Sequence, residues 1–99
     1  MKYGIPTDDG KTVSSVFGRA KSFAIYDDET RELAILDNEG VDSEHGAGTG
    51  AAACLAEKGV GIVLAPEVGP KAAQALEVAG IEIRNVQAGD ALESAIRDQ

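Results

Sequence analysis

The feature that most constrains the fold is an uninterrupted apolar run, GIVLA, at residues 61–65, which Pro66 ends. A strand with water on one face alternates apolar and polar residues, whereas a strand covered on both faces is apolar throughout. The run therefore predicts an interior strand of a sheet that carries helices on both faces.

Two predicted helices flank this strand. Residues 51–58 are apolar almost all round, which predicts a largely buried helix that ends at Gly59. After the strand, a second helix is predicted to start near Pro70, a residue suited to the first helical turn, and to end at Gly80. Its apolar residues recur at helical spacing: Ala72, Ala73, Leu76 and Ala79.

The other predicted elements complete an α/β order. Further strands are predicted at residues 2–6, 23–26, 31–36 and 81–86. Asp90 is placed to cap a last helix, with Glu93 three residues later, and that helix has an apolar stripe of Leu92, Ala95 and Ile96. The order β-β-β-α-β-α-β-α predicts a mixed sheet with helices on its faces, and the 99 residues are expected to form a single domain.

The charge balance argues against two classes of partner. The chain has 17 acidic and 9 basic side chains and a formal net charge of −8, which repels phosphate backbones and anionic lipid surfaces. No apolar run approaches the roughly 20 residues that a membrane-spanning helix needs, and the N-terminal residues lack the apolar region of a signal peptide. The single Cys54 cannot form an intramolecular disulfide. We therefore expect a cytoplasmic protein that binds neither nucleic acid nor membrane.

The longest segment without a predicted element is residues 37–50, DNEGVDSEHGAGTG. The length, glycines and acidic side chains of this segment predict that residues 37–48 are poorly ordered without a ligand. His45, the only imidazole of the chain, lies in this segment, and histidine is a common metal ligand. Gly46 and Gly48 nearly complete a dinucleotide-binding fingerprint, but no strand directly precedes them, so a nicotinamide site is not expected.

A second candidate region combines a turn with positive charge. Arg19 and Lys21 follow Phe17 and Gly18 in an otherwise acidic chain. Two interpretations are open: the cations are solvated surface charges, or they attract an anionic ligand. The paired carboxylates at Asp8-Asp9 and Asp27-Asp28 fall in predicted turns, where aspartate is favoured for backbone reasons. Cys54 is predicted to be a small buried hydrophobic residue rather than a ligand.

Four segments, in order, resemble one known family. They are VSSVFGRAKSFAIYD, EHGAGTGAAACLAEKGVGIVLA, VGPKAAQALEVAGIEI and a glycine followed by a short helix, after an N-terminal strand ending in proline. In this combination the chain resembles the dinitrogenase iron–molybdenum cofactor biosynthesis family over nearly its whole length. One departure is the pair Pro66-Glu67, where family members commonly have two glycines; it weakens an anion-binding role for that loop.

The resemblance implies a ribonuclease H-like fold without nuclease activity. It also implies binding of an anionic metal–sulfur cluster, iron–molybdenum cofactor-like or otherwise containing molybdenum, in a nitrogenase accessory-like role. The implied cluster-binding residues are Phe17, Gly18, Arg19, Gly46, Gly48 and Gly69, with His45 as the metal ligand. Cluster-assembly proteins are the implied partners, and a monomer or weak homodimer is expected.

Two function classes follow, with a third behind them. The first is a non-catalytic binding or carrier protein for a metal–sulfur cluster. The second is a nucleotide- or small-anion-binding regulatory protein, or an enzyme, that uses the same glycine-rich pocket, because strand ends in α/β sheets are common ligand sites. The third is a protein that only binds another protein. The sequence contains no evident catalytic set, so we expect that the chain is not an enzyme.

Overall fold

A computed structural model of the chain describes residues 1–38 and 47–99, with the side chains of residues 47–49 left aside. The strands are β1 (Lys2–Thr7), β2 (Ser22–Asp27), β3 (Glu32–Asp37), β4 (Val60–Ala65) and β5 (Glu82–Asn85). The helices are α1 (Ala47–Glu57), α2 (Pro70–Val78) and α3 (Leu92–Arg97). The predicted order of elements is confirmed, and the described residues form a mixed α/β fold with a five-stranded sheet and three helices.

The sheet has the strand order β3-β2-β1-β4-β5. β1, β2 and β3 pair antiparallel, with Thr7 opposite Ser22 and Ser22 opposite Asp37. β4 is parallel to both β1 and β5, as expected when helices connect the strands. The apolar run at residues 61–65 therefore lies inside the sheet, between β1 and β5.

The sheet separates two hydrophobic clusters. On one face, α1 and α2 pack over the sheet through buried side chains that include Leu55, Leu76, Phe23 and Val63. On the other face, α3 packs Leu92 and Ala95 against Ile5, Ile62 and Leu64. Because α3 has only six residues and packs over β1, β4 and Ala24 of β2, it leaves the β3 part of this face without a helix.

The structure corrects the predicted start and burial of α1. The helix begins at Ala47, so Gly48 lies in its first turn rather than in a loop, although glycine disfavours helix. It is also less buried than its composition predicted: Ala53 and Ala56 are exposed and Cys54 is partly buried. Alanine is the best helix former and is often exposed, so an alanine-rich helix does not reveal which side faces the core.

The predicted cap of α3 is also wrong. The N-cap is Ala91, without a side-chain cap, rather than Asp90. The carbonyl of Asp90 instead accepts a hydrogen bond from Val13 N–H at 2.8 Å, and Leu92 N–H donates to the carbonyl of Lys11 at 2.9 Å. Backbone groups of residues 11–13 thus form hydrogen bonds with the backbone at the start of α3, so a capping side chain is not required.

Further predictions were only partly correct. In α2, Ala72 and Leu76 are buried, whereas Ala79 is exposed. The predicted loop at residues 37–50 is too long, since Asp37 belongs to β3 and α1 starts at Ala47. The expectation of poor order concerns mainly residues 39–46, which lie outside the described residues. Within the described parts, no helix is long and apolar enough to cross a membrane.

Candidate functional site

One edge of the sheet collects the chain segments singled out from the sequence. The parallel strands β1, β4 and β5 all end there, β2 begins there, and β3 returns to it at Asp37. The turn at residues 17–21, the loop at 66–69 and the N-terminal ends of α1 and α2 therefore lie at this edge. We call it the site edge. In open α/β sheets, the carboxyl ends of parallel strands are the usual place for ligands.

Packing brings these segments together beneath the surface. Phe17, Ala51, Val68 and Ala72 belong to the same buried cluster, so the turn, both helix starts and the 66–69 loop share one core. The Phe17 ring is 2% exposed and lies against Phe23, with ring centroids 5.2 Å apart. The turn at residues 17–21 is therefore held to the sheet by an apolar anchor.

Asn38 fixes the same turn through polar contacts. Its side-chain amide donates to the carbonyls of Gly18 and Ala20, each at 2.9 Å, and its backbone N–H donates to the carbonyl of Lys21 at 2.9 Å. The residue is 3% exposed. Because three carbonyls of one turn depend on it, Asn38 holds the backbone on both sides of Arg19 in one conformation.

Asp8 supports the turn from the other side. Its carboxylate accepts Lys21 N–H at 3.0 Å and the Ser14 hydroxyl at 3.1 Å. Ser14 N–H in turn donates to the carbonyl of Pro6 at the end of β1. The carboxylate of Asp8 is thus occupied by protein donors, in agreement with the structural role predicted for this aspartate pair.

Asp9 organises the loop that follows β1. Its carboxylate accepts the backbone N–H groups of Lys11 and Thr12, both at 2.8 Å, as well as the hydroxyls of Thr12 and Thr7. These hydrogen bonds to the ionised form, first those from the Thr12 and Lys11 backbone, lower the pKa of Asp9 from 3.8 to about 2. The Thr7 hydroxyl shares its one hydrogen between Asp9 Oδ1, at 3.3 Å, and the carbonyl of Thr12, at 2.7 Å, and the shorter bond closes the loop.

The lowered pKa predicts a pH-dependent contribution of Asp9 to stability. A carboxyl whose pKa is lower in the folded protein stabilises the fold above its ordinary pKa of 3.8, and this contribution is lost as the pH falls through about 2. Asp9→Asn should therefore lower the Tm at pH 7, and the Tm difference from the unaltered protein should shrink between pH 4 and pH 2. Thermal unfolding followed by circular dichroism measures this. Glu32→Gln, a change at an exposed carboxylate, serves as the control; an equal pH trend in both variants would contradict the assignment.

Two helices direct their N-terminal ends toward the site edge. α1 ends at Glu57 next to the start of β4, and α2 starts after the end of β4, so the N-termini of both helices lie on the same side. In α2 the N-cap is Gly69, no side chain caps the helix, and Pro70 occupies the first turn. Helix N-termini present backbone N–H groups and carry about half a positive charge each. The edge thus offers donors and positive potential suited to an anion.

The predicted site residues fall on this edge to different extents. Gly18 is half-buried and Arg19 exposed in the turn, Gly69 caps α2, and Gly48 lies in the first turn of α1. Phe17 is buried, so its ring contributes by holding the turn. His45 and Gly46 lie outside the described residues. Their roles as ligands remain predictions.

A metal ion held by side chains requires several ligand residues close together. Among residues 1–38 and 50–99, no group of three or more His, Cys, Asp or Glu side chains could hold a metal ion. Cys54 lies in α1, partly buried.

The loop after β4 departs from the pattern of an anion-binding turn. Pro66 has no N–H, and its carbonyl accepts a hydrogen bond from the Asn85 side chain at 3.1 Å. Glu67 is exposed and adds negative charge next to Gly69. The donors at this position are therefore those of the helix start rather than those of the loop.

Sequence reasoning missed Asn38 at this site. The sequence predicts a loop at this position, whereas the structure places Asn38 buried, directly after β3. A short polar residue directly after a strand was the available signal, because such residues often hydrogen-bond to neighbouring backbone. The sequence could not show that its partners lie about twenty residues earlier in the chain.

Comparison with known proteins agrees with this architecture. Residues 1–98 match the family model of the dinitrogenase iron-molybdenum cofactor family. The chain belongs to this family, as its sequence motifs had indicated. An uncharacterized protein of Methanocaldococcus jannaschii is 33% identical over 86 residues, which cover 84% of this chain and 72% of the relative.

Two solved structures are similar over almost the whole chain. The apo form of the orange protein from Desulfovibrio gigas aligns with a TM-score of 0.91 and 34% identity, covering 97% of this chain and 83% of that one. A Thermotoga protein provisionally described as a NifB protein aligns with a TM-score of 0.82 and 30% identity, covering 97% of this chain and 84% of the other.

Proposed function

We propose that this chain binds and carries an anionic metal–sulfur cluster at the site edge, as cargo and without catalysing a reaction. The observation that carries the proposal is the convergence of the N-termini of α1 and α2 with the turn around Arg19 at one edge of the sheet. The proposed contacts are Phe17, Gly18, Arg19, Gly46, Gly48 and Gly69, with His45 as a metal ligand.

The net negative charge of the chain explains why an anion has to be captured by groups in direct contact with it. A chain with a net charge of −8 repels anions at long range. Capture therefore depends on short-range donors, and salt weakens the long-range repulsion. The helix N-termini and the Arg19 guanidinium supply positive potential at the one edge where the nearby Asp8 carboxylate is already hydrogen-bonded to protein groups.

The family and the similar structures support a metal–sulfur cluster as the cargo. The family is named for the dinitrogenase iron–molybdenum cofactor, and one similar structure is described as an apo form, which implies a form with something bound. A metal–sulfur cluster has an anionic surface that accepts N–H hydrogen bonds, which matches donors better than coordinating side chains. We further propose cluster-assembly proteins as partners and a nitrogenase accessory-like role.

We also propose that the fold is ribonuclease H-like and that the protein is cytoplasmic. The sheet order β3-β2-β1-β4-β5, with three antiparallel strands followed by two parallel ones, supports a ribonuclease H-like fold. Nuclease chemistry needs converging carboxylates that hold metal ions, and the described residues contain no such group. We propose a cytoplasmic protein without nucleic-acid or membrane partners.

Loading with a molybdenum–sulfur anion tests the function. Tetrathiomolybdate is added anaerobically at low salt, the protein is desalted, and molybdenum per chain and the visible spectrum are measured. We expect retained molybdenum that an excess of inorganic phosphate does not displace. Displacement by phosphate would favour the alternative, a small-anion- or nucleotide-binding protein, and no retention at any salt concentration would contradict the carrier function.

Arg19→Glu tests the position of the site. Reversing this charge should weaken capture on the order of tenfold, as expected for a nearby charge in a partly solvated site. Arg97→Glu makes the same change in α3, which packs on the opposite face of the sheet, and should leave capture nearly unchanged. Equal losses in both variants would show a general charge effect and contradict a site at this edge.

Paired variants distinguish coordination by a side chain from retention without one. His45→Ala should lower the amount of retained molybdenum, whereas Cys54→Ala should change it little, because Cys54 lies partly buried in α1. The circular dichroism spectrum of each variant confirms its fold. Loss in Cys54→Ala alone would replace the histidine by a thiolate ligand.

A further inference from the structure

The edge strand β3 carries an apolar surface that nothing in the described structure covers. Leu33 and Ile35 are 44% and 45% exposed, although Ile35 lies opposite the buried Ala24. Leu33 lies next to Tyr26 and Ile96 on the face of α3, and Ile35, opposite Ala24, is on the same face. Both side chains stay exposed because α3 is too short to cover β3. Five of the six residues of this strand are exposed. A long edge strand with apolar side chains is a template for pairing with another strand.

The charges around this strand are arranged at its two ends. Arg31 precedes β3 and Asp37 ends it. Arg31, Arg97 and Glu93 border the apolar groove, which has a volume of about 410 Å³. Among the described residues neither Arg31 nor Asp37 forms an ion pair. A strand with a cation at one end and an anion at the other is complementary to an antiparallel copy of itself.

We propose that two copies of this chain associate through antiparallel pairing of their β3 strands, with a two-fold axis at Ala34. In this register Leu33 lies opposite Ile35 of the partner subunit, and the two Ala34 residues face each other. Arg31, in the turn directly before β3 with a φ of 62°, reaches Asp37 of the partner subunit through its side chain rather than as part of the strand ladder. The two sheets become one continuous sheet. The inference is independent of the cargo, because each site edge remains open at opposite ends of the paired strands.

Symmetry and charge together select this register. A two-fold axis perpendicular to the sheet keeps equivalent faces on the same side, so Leu33 and Ile35 of both copies form one apolar strip on the α3 face. Directly opposed side chains in antiparallel strands interact, and opposite charges there are favourable. Shifting the register by two residues in either direction removes the pairing of Arg31 with Asp37.

The pairing is expected to be weak. A contact centred on one strand falls below the roughly 1,200 Å² of a stable interface, and the negative charge of each copy opposes association. Dimers should therefore form at protein concentrations on the order of 1 mM rather than 1 µM. Added salt should not abolish them, because it also screens the repulsion between the two copies.

A cysteine at the two-fold axis tests the register. In a Cys54→Ala background, Ala34→Cys places two thiols across the axis, within the Cα separation that a disulfide requires. Under mild oxidation the covalent dimer should form on the order of tenfold faster than for Ala53→Cys, an exposed alanine in α1 that reports random collision. Equal rates for the two variants would overturn the proposal.

Exchanging the charges of Asp37 and Arg31 tests the same contact between the two copies without a covalent link. Asp37→Arg makes the net charge less negative, so general electrostatics predicts stronger association. The proposed register predicts weaker association, because the introduced guanidinium would face Arg31 of the partner subunit. Sedimentation velocity should show the weaker association, and combining Asp37→Arg with Arg31→Asp should restore it. Stronger association of the single variant, or no recovery in the double variant, would contradict the pairing.

Discussion

Replacing Asn38 by leucine should lower the free energy of unfolding by about 2 to 4 kcal/mol, because each buried carbonyl left without a donor costs about 1 to 3 kcal/mol. The Asn38 amide donates to the carbonyls of Gly18 and Ala20, and leucine of similar size supplies no donor. Urea unfolding followed by circular dichroism measures the loss. The same substitution should also reduce capture of tetrathiomolybdate, since the turn around Arg19 depends on these bonds.

Asn85→Leu provides the matched control. Asn85 also donates one side-chain hydrogen bond to a carbonyl, that of Pro66, but it is exposed, so water replaces the lost donor. Its cost should stay below about 1 kcal/mol. If the two variants lose the same stability, the burial of Asn38 is not what makes its hydrogen bonds important.

Phe23→Ala should have the largest effect on stability of any change considered for this protein, about 3 to 5 kcal/mol. Phe23 is 1% exposed, lies in β2 and packs against Phe17 in the core beneath α1 and α2. The alanine would leave a cavity where the turn at residues 17–21 packs against the sheet. The measurement is the free energy of unfolding in urea, with the slope m as a check that unfolding remains two-state.

Val78→Ala is the reference for a truncation outside the core. Val78 is 84% exposed at the end of α2, so its loss should change stability by less than about 0.5 kcal/mol. A small effect of Phe23→Ala, close to that of Val78→Ala, would mean that the cluster around Phe17 and Phe23 does not hold the turn as described.

Much of the fold was predictable because it depends on local pattern. The apolar run at residues 61–65 gave the position of β4, and helical spacing with Pro70 and Gly80 gave α2. The strand at the centre of the sheet was also predicted, at residues 2–6, but its central position was not, and it ends one residue later, at Thr7. β1 is KYGIPT, whose Thr7 is buried because its hydroxyl donates to the carbonyl of Thr12. A polar residue in a core strand is tolerated only with such a partner, and the partner cannot be read from the strand itself.

The site was less predictable than the fold, for a physical reason. Arg19 was identified as a candidate from its charge, and Gly69 from the family resemblance. Asn38 was not identified, because its role depends on carbonyls that only the sheet brings near. Asp90 showed the opposite error: its sequence context favoured a cap, but the loop around Lys11 already satisfies the start of α3. Long-range hydrogen bonds decided both cases.

The central position of β1 also has a consequence for the order of folding. β1 pairs with β2 across the 14-residue segment 8–21, whereas its parallel pairing with β4 joins Lys2 to Val60, much farther along the chain. During synthesis the antiparallel three-stranded unit can form first, with one side of β1 still unpaired until β4 has been made. The ends of α1 and α2 reach their places only after that late closure, which is slow because it joins distant parts of the chain. We therefore expect a newly made chain to complete the site edge after its antiparallel strands, and conditions that slow chain closure should delay the proposed cluster binding more than they delay the formation of secondary structure.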